Sequence, residues 1–250
     1  MKIALITGAS SGIGKDMALY LNDLNYKLIL VGRNKEKLIE LKKVCSNATV
    51  IICDLSSKEE VYKLYLKNKN INIDLLINNA GFGLFGFFNK TDLETELKMI
   101  NVNVIATHML TKLFLKDFIK RDKGHILNVS SSAGFMAGPY LNTYYATKNY
   151  ILKLTLALYE ELKRQKSNVK VSVLCPGPVN TNFNNVAGGS FNVKGLSSEY
   201  VAKYALNLVF KNKLIIIPSF KMKLGIFLTR LIPIKLLLKI TYVIQKNKFR

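Results

Sequence analysis

The chain has 250 residues, 49% of them hydrophobic and 21% charged, which is enough for one large core and short for two independent domains. Its formal net charge of +21 comes almost wholly from dispersed lysine, without a zinc-finger spacing or an aromatic-plus-basic strand, so no nucleic-acid partner is expected. Three widely spaced cysteines (Cys45, Cys53, Cys175) and two histidines (His108, His125) argue against a disulfide framework or a metal site and read best as three buried thiols.

The chain opens on a short apolar run, 3–7, that reads as a buried strand leading straight into glycines. The segment has no long secretory h-region, which predicts a protein that stays in the cytosol. Further β-branched runs at 27–31, 49–52, 74–77, 125–130, 169–174 and 214–217 alternate with helical patterns at 13–24, 35–44, 58–67, 93–118, 144–164 and 198–209. Continuous apolar strands alternating with amphipathic helices predict an α/β fold, a doubly wound Rossmann-type parallel sheet of about seven strands in a single domain.

Between the first strand and the first helix lies Thr7-Gly8-Ala9-Ser10-Ser11-Gly12-Ile13-Gly14. Gly8 suits a tight exit from the strand, Gly12 a close approach of backbone to a pyrophosphate, and Gly14 tight packing of helix on sheet, with the helix N-terminus facing the phosphates. The second strand ends in Val31-Gly32-Arg33-Asn34, which offers no carboxylate for a ribose 2′-hydroxyl. Arg33 suits a 2′-phosphate instead, so NADP(H) is expected over NAD, although an arginine is also ordinary at an exposed helix start.

Tyr144 and Lys148 stand at i and i+4 at the head of a helix, so a phenol and an ammonium share one face. A nearby fixed positive charge favours the phenolate, so one desolvated lysine together with a cationic cofactor ring predicts a Tyr144 pKa below the ordinary value near ~10. Two aromatic segments, 82–88 and 134–140, follow strand carboxyl ends, where such sheets place ligands, and predict an apolar pocket for a bulky lipophilic carbonyl. The stretch 182–196, rich in Asn and Gly, reads as a lid over that pocket. From Tyr200 onward there is no acidic residue, while lysines and Arg230 interrupt short apolar runs and Pro233 splits them. Two short basic amphipathic helices are expected at 221–250, lying on an anionic membrane surface, folding over the substrate entrance, or packing on a partner subunit.

Taken together, these motifs resemble the short-chain dehydrogenase/reductase family, in its NADP-preferring branch of ketoacyl- and hydroxysteroid-type reductases. The resemblance rests on 7–14, Cys53-Asp54-Leu55, Asn78-Asn79-Ala80-Gly81, Met99-Ile100-Asn101-Val102, Asn128-Val129-Ser130-Ser131, 144–148 and Pro176-Gly177-Pro178-Val179-Asn180-Thr181. It covers about residues 1–220, the expected dinucleotide-binding oxidoreductase domain, with 221–250 as its C-terminal helical extension.

The resemblance implies a catalytic tetrad of Asn101, Ser131, Tyr144 and Lys148. In it Ser131 would stabilise the carbonyl oxygen, Tyr144 would move the proton, Lys148 would hold the nicotinamide ribose, and Asn101 would anchor a water. It further implies cofactor contacts from Gly8, Ser10, Ser11, Gly12, Ile13, Gly14, Arg33, Asp54 at the adenine, Leu55, Asn79, Ala80, Gly81, Tyr144, Lys148, Pro176, Gly177, Val179 and Thr181. The expected activity is interconversion of a ketone and a secondary alcohol in a homodimer or homotetramer built on the helices at 93–118 and 144–164. The competing reading is a catalytically silent dinucleotide sensor or membrane-surface interaction protein on the same fold.

Overall fold

The computed structural model describes residues 1–183, 187–188 and 195–247. The strands are β1 (Ile3–Thr7), β2 (Lys27–Gly32), β3 (Ala48–Ile52), β4 (Leu75–Asn78), β5 (His125–Val129), β6 (Lys170–Leu174), the short pair β7 (Val179–Asn180) and β8 (Leu196–Ser197), and β9 (Ile215–Ile216). The helices are α1 (Gly12–Asp23), α2 (Lys35–Val44), α3 (Lys58–Asn68), α4 (Leu93–Ile100), α5 (Thr107–Lys120), α6 (Asn142–Arg164), α7 (Ser198–Val209), α8 (Phe220–Thr229) and α9 (Ile234–Lys246). β1 to β6 and β9 form one sheet in the order β3-β2-β1-β4-β5-β6-β9, with every neighbour pair parallel.

The period-two alternation of each strand divides its apolar side chains between two layers. Ala4 and Ile6 face a core shared with α1, α2 and α7, while Leu5 faces a second core shared with α3 and α5. The helices answer with their own period: α7 buries Val201, Ala202, Ala205, Leu206 and Val209, and α5 buries Leu110, Phe114 and Phe118. After β3 the chain crosses to the other side of β1 and continues as β4, so a crevice opens above the carboxyl ends of these two strands. The glycine turn, Asn79-Ala80-Gly81 and Ser130-Ser131 all emerge at that edge.

The single helix expected at 93–118 is in fact three segments. α4 passes through a π-helical stretch, Asn101–Ala106, into α5. Within that stretch the side chain of Asn103 accepts from Phe82 N (3.0 Å) and donates from Nδ2 to Phe82 O (2.9 Å) and Thr147 Oγ1 (3.1 Å), tying the helix to the β4 loop.

Of the three placements expected for the tail, the structure shows the helices folded over the site. Ile226 and Met222 of α8 join a small core with Leu152, Val173, Cys175 and Ile217. α9 is tied down by a hydrogen bond between the Tyr140 and Tyr242 hydroxyls (3.0 Å) and another from Gln245 Nε2 to the Tyr145 hydroxyl. Pro233 ends the connection and precedes α9, a position that needs no backbone N–H. No helix among the described residues is long and apolar enough to cross a membrane.

Candidate active site

The glycine turn is shaped by backbone that only glycine adopts without strain. Gly8 and Gly12 have φ of +66° and +53°. Gly14 acts one layer lower: a Cβ there would sit 2.4 Å from both the Gly8 carbonyl oxygen and Asn79 Nδ2, so the third glycine seats helix on turn and does not face the crevice. Asn79 is the clamp, donating from Nδ2 to the carbonyls of Thr7 (3.0 Å) and Gly8 (3.2 Å). Thr7 Oγ1 reciprocates by accepting from Asn79 N and Ala80 N.

α2, α3, α4, α7 and α8 each carry a side chain that accepts from a first-turn N–H, whereas the first turn of α1 has neither a capping side chain nor an acidic residue. Its N–H groups and positive dipole end remain for an anion held over Gly12. This turn therefore fits the pyrophosphate of a dinucleotide. At the next strand end Arg33 and Asp54 line the same crevice. Asp54 accepts from Ser56 N and Oγ, bonds that hold its carboxyl below the usual carboxylate range together with the nearby Arg33 and Lys98 charges.

The crevice and the cavity beyond it form one continuous space of about 760 Å³ that reaches Ser131, Tyr144 and Lys148. Ser131 leaves β5 in extended backbone and caps the following turn by accepting from Ala133 N (3.2 Å). Tyr144 lies in the first turn of α6 and Lys148 one turn on, with its ammonium 5.8 Å from the Tyr144 ring centre. Lys148 is 4% exposed and donates to Val129 O (3.0 Å). Burial pushes the Lys148 ammonium down to about 8 and the Tyr144 phenol up to about 12, with the hydrogen bond from Ser131 opposing the latter.

The expectation of a depressed Tyr144 is thus reversed in the protein alone. Desolvation outweighs a lysine whose charge is itself disfavoured by burial.

Asn101 is not brought to this site. It is half-buried at the end of α4, has no side-chain hydrogen bond among the described residues, and does not line the cavity. Asn103 takes the place expected of it: a Cβ added to Gly81 would lie 3.0 Å from Asn103 Oδ1 and 3.1 Å from Lys148 Nζ, so both polar atoms face one small volume. Asn103, Thr107, Leu110, Thr111 and Phe114 form one buried stripe at helical spacing, whereas Asn101 lies off it. Asn103→Ala should cost about 2–4 kcal/mol in chemical denaturation by leaving the Phe82 amide unpaired, and Asn101→Ala less than about 1 kcal/mol.

Apart from Gly14, every residue expected to touch the cofactor lines the crevice or cavity. Thr181 packs against the glycine turn, its Cγ2 standing 3.0 Å from where a Gly12 Cβ would be.

The aromatic pocket is built differently from expectation. Phe82 and Met136 line the cavity, but Phe85 stacks on Tyr140 (5.6 Å between ring centres) in a separate small core, and Phe87 and Phe88 are exposed. Phe183 supplies the missing ring by packing on Tyr144 at 5.2 Å. Gly83 makes room for it, since a Cβ there would come within 2.8 Å of Phe183 Cζ. A further part of the apolar wall comes from the tail, through Met222, Ile226, Leu237, Ile240 and Ile244. Gln245 is buried in the same wall and its Oε1 has no partner among the described residues. Folding over the substrate entrance was one of the three placements expected for 221–250, and periodicity alone did not single it out. The lid expected at 182–196 lies mostly outside the described residues.

Residues 2–188 match the family model described as short chain dehydrogenase. Estradiol 17-beta-dehydrogenase 11 of Mus musculus is 33% identical over 241 residues, covering 93% of this chain and 80% of the relative. Among solved structures, a short-chain dehydrogenase from Sphingobium yanoikuyae in complex with NADPH superposes with a TM-score of 0.82 at 26% identity, covering 88% of this chain and 89% of that one. The bulky-bulky ketone specific alcohol dehydrogenase from Comamonas testosteroni gives 0.79 at 25% identity, with 92% of both chains covered. With the glycine cradle, the Ser131, Tyr144 and Lys148 cluster and these similarities together, the chain belongs to the short-chain dehydrogenase family of nicotinamide-dinucleotide oxidoreductases.

Proposed function

We propose that this protein is an NADP(H)-dependent oxidoreductase that interconverts a ketone and a secondary alcohol on a bulky lipophilic substrate of steroid or fatty-acyl type. The observation that carries the reading is the enclosure of Ser131, Tyr144 and Lys148 at the junction of the dinucleotide crevice and an apolar cavity. A bound nicotinamide would supply or accept the hydride.

The chain's own groups would do the rest. Ser131 donates to the substrate oxygen, where negative charge grows during reduction, and Tyr144 gives its proton to the same atom. A phenol held up to about 12 keeps that proton at neutral pH, which suits the reducing direction. Alcohol oxidation needs the phenolate, the form favoured as pH rises, so its rate should climb through the alkaline range while ketone reduction stays flat or falls. Lys148 presents charge and a donor toward Tyr144 and the ribose. Asn103 fixes the β4 loop against α6 beside it.

Arg33 at the end of β2, with no carboxylate in the Leu30 to Asn34 segment, supports NADP(H) over NAD. Arg33→Ala should raise KM for NADPH by about tenfold or more and leave KM for NADH within about twofold; an equal change in both would remove the 2′-phosphate role. The apolar wall of the cavity supports the substrate class, and the descriptions of the mouse and Comamonas relatives point the same way. Reduction of a bulky ketone with NADPH carrying deuterium at both C4 positions of the dihydronicotinamide should place deuterium on the carbinol carbon. Product without label would exclude hydride transfer from the cofactor.

A further inference from the structure

The tail helices are inverted relative to water. On α9 the residues turned toward the protein are Leu237, Thr241 and Gln245, spaced by four, and two of the three are polar. Ile234, Leu236, Leu238, Ile240, Tyr242, Val243 and Ile244 of the same helix are exposed. α8 buries only Ile226, while Phe220 is 79% and Phe227 57% exposed, and Leu231 in the following turn is 69% exposed. A face of this size is rare on a monomer that meets only water.

Its surroundings indicate what covers it. Lys221, Lys223, Arg230, Lys235, Lys239 and Lys246 are exposed on the same two helices and their connection, and no acidic residue follows Glu199. A second copy of the chain would bring these cations onto one another, whereas an anionic surface complements them. Neither helix is long enough to span a bilayer, as α8 has 10 residues and α9 has 13, but both suit lying in its plane. The apolar exterior is also continuous with the cavity, because Leu228, Ile240 and Ile244 are exposed and line it as well.

We propose that α8 and α9 dock this protein on an anionic lipid surface, apolar residues in the headgroup boundary and cations at the phosphates, with the mouth of the cavity set against the lipid. The docking does not depend on the catalytic reading, and its test reads binding apart from turnover.

The full chain should float with vesicles of phosphatidylcholine and phosphatidylglycerol, about tenfold or more above pure phosphatidylcholine, and less as salt is raised. The triple variant Phe227→Asp, Leu231→Asp, Val243→Asp changes exposed residues that do not line the cavity. It should lose flotation while keeping its far-ultraviolet circular dichroism and the same turnover of a water-soluble ketone as the parent. A second variant, Arg230→Gln, Lys235→Gln, Lys239→Gln, keeps the apolar face and should lose the preference for anionic vesicles. The proposal is overturned if the parent chain stays unbound with anionic vesicles, or if the aspartate variant floats as well as the parent. It is equally overturned if the parent is an oligomer that the aspartate variant dissociates, since the face would then be a subunit interface.

Discussion

Replacement of Tyr144 by Phe should lower ketone turnover about a thousandfold, the middle of the range for a positioned general acid, while NADPH affinity changes by less than about threefold. The ring would still pack on Phe183, because that contact involves its face and not the hydroxyl. Only the proton source and the hydrogen bond with Ser131 disappear. A fall in kcat with intact NADPH binding by fluorescence titration is the expected signature. Parallel loss of both would mean that Tyr144 builds the cofactor site and does not move the proton. Ser131→Ala should act on the same step with a smaller loss, because water or Tyr144 itself still donates to the oxygen.

Lys148→Met should show the opposite signs in activity and stability. Turnover should fall by about a hundredfold or more, because the charge beside Tyr144 and the ribose donor are both lost. Stability should rise. The ammonium sits in a site that holds it down to about 8 against an ordinary 10.5, which makes its burial cost about 3 kcal/mol at neutral pH.

In this window the unfolded chain binds the proton more readily than the folded one. The cost is therefore fully present below pH 8, shrinks as pH rises toward 10.5 and vanishes above it. Against this gain stands the lost hydrogen bond to Val129 O, about 1–2 kcal/mol. The net expectation at pH 7 is a stabilisation of about 1–2 kcal/mol, or a Tm increase of about 2–8 °C, narrowing as pH is raised toward 10.5. A destabilised variant at pH 7 would show that Lys148 holds α6 to β5 more strongly than its burial costs.

The sheet was legible in the sequence because each strand is a short apolar run closed by a turn. All seven expected strands appear, with bounds moved by one or two residues. The glycine turn was legible for a related reason, since its geometry depends on residue type at fixed offsets. What could not be read depended on which neighbour each side chain meets. Asn101 and Asn103 stand two apart on one helix, and only the π-helical segment and the hydrogen bonds to Phe82 reveal which of them turns inward. Phe85 and Tyr140 sit in segments that do reach the site, yet they stack on one another, and part of the cavity wall comes from a tail more than eighty residues away. The upward shift of Tyr144 in the protein alone escaped the sequence for the same reason. Spacing gives the distance to Lys148 but not the depth at which both are buried.

The most direct test of the central claim is the rate of NADPH oxidation by the purified full chain at pH 7, measured with ketones of increasing bulk on both sides of the carbonyl. Ketone-dependent oxidation with kcat/KM rising with apolar bulk is the expected result. Tight NADPH binding with no ketone-dependent oxidation across the whole series would contradict it.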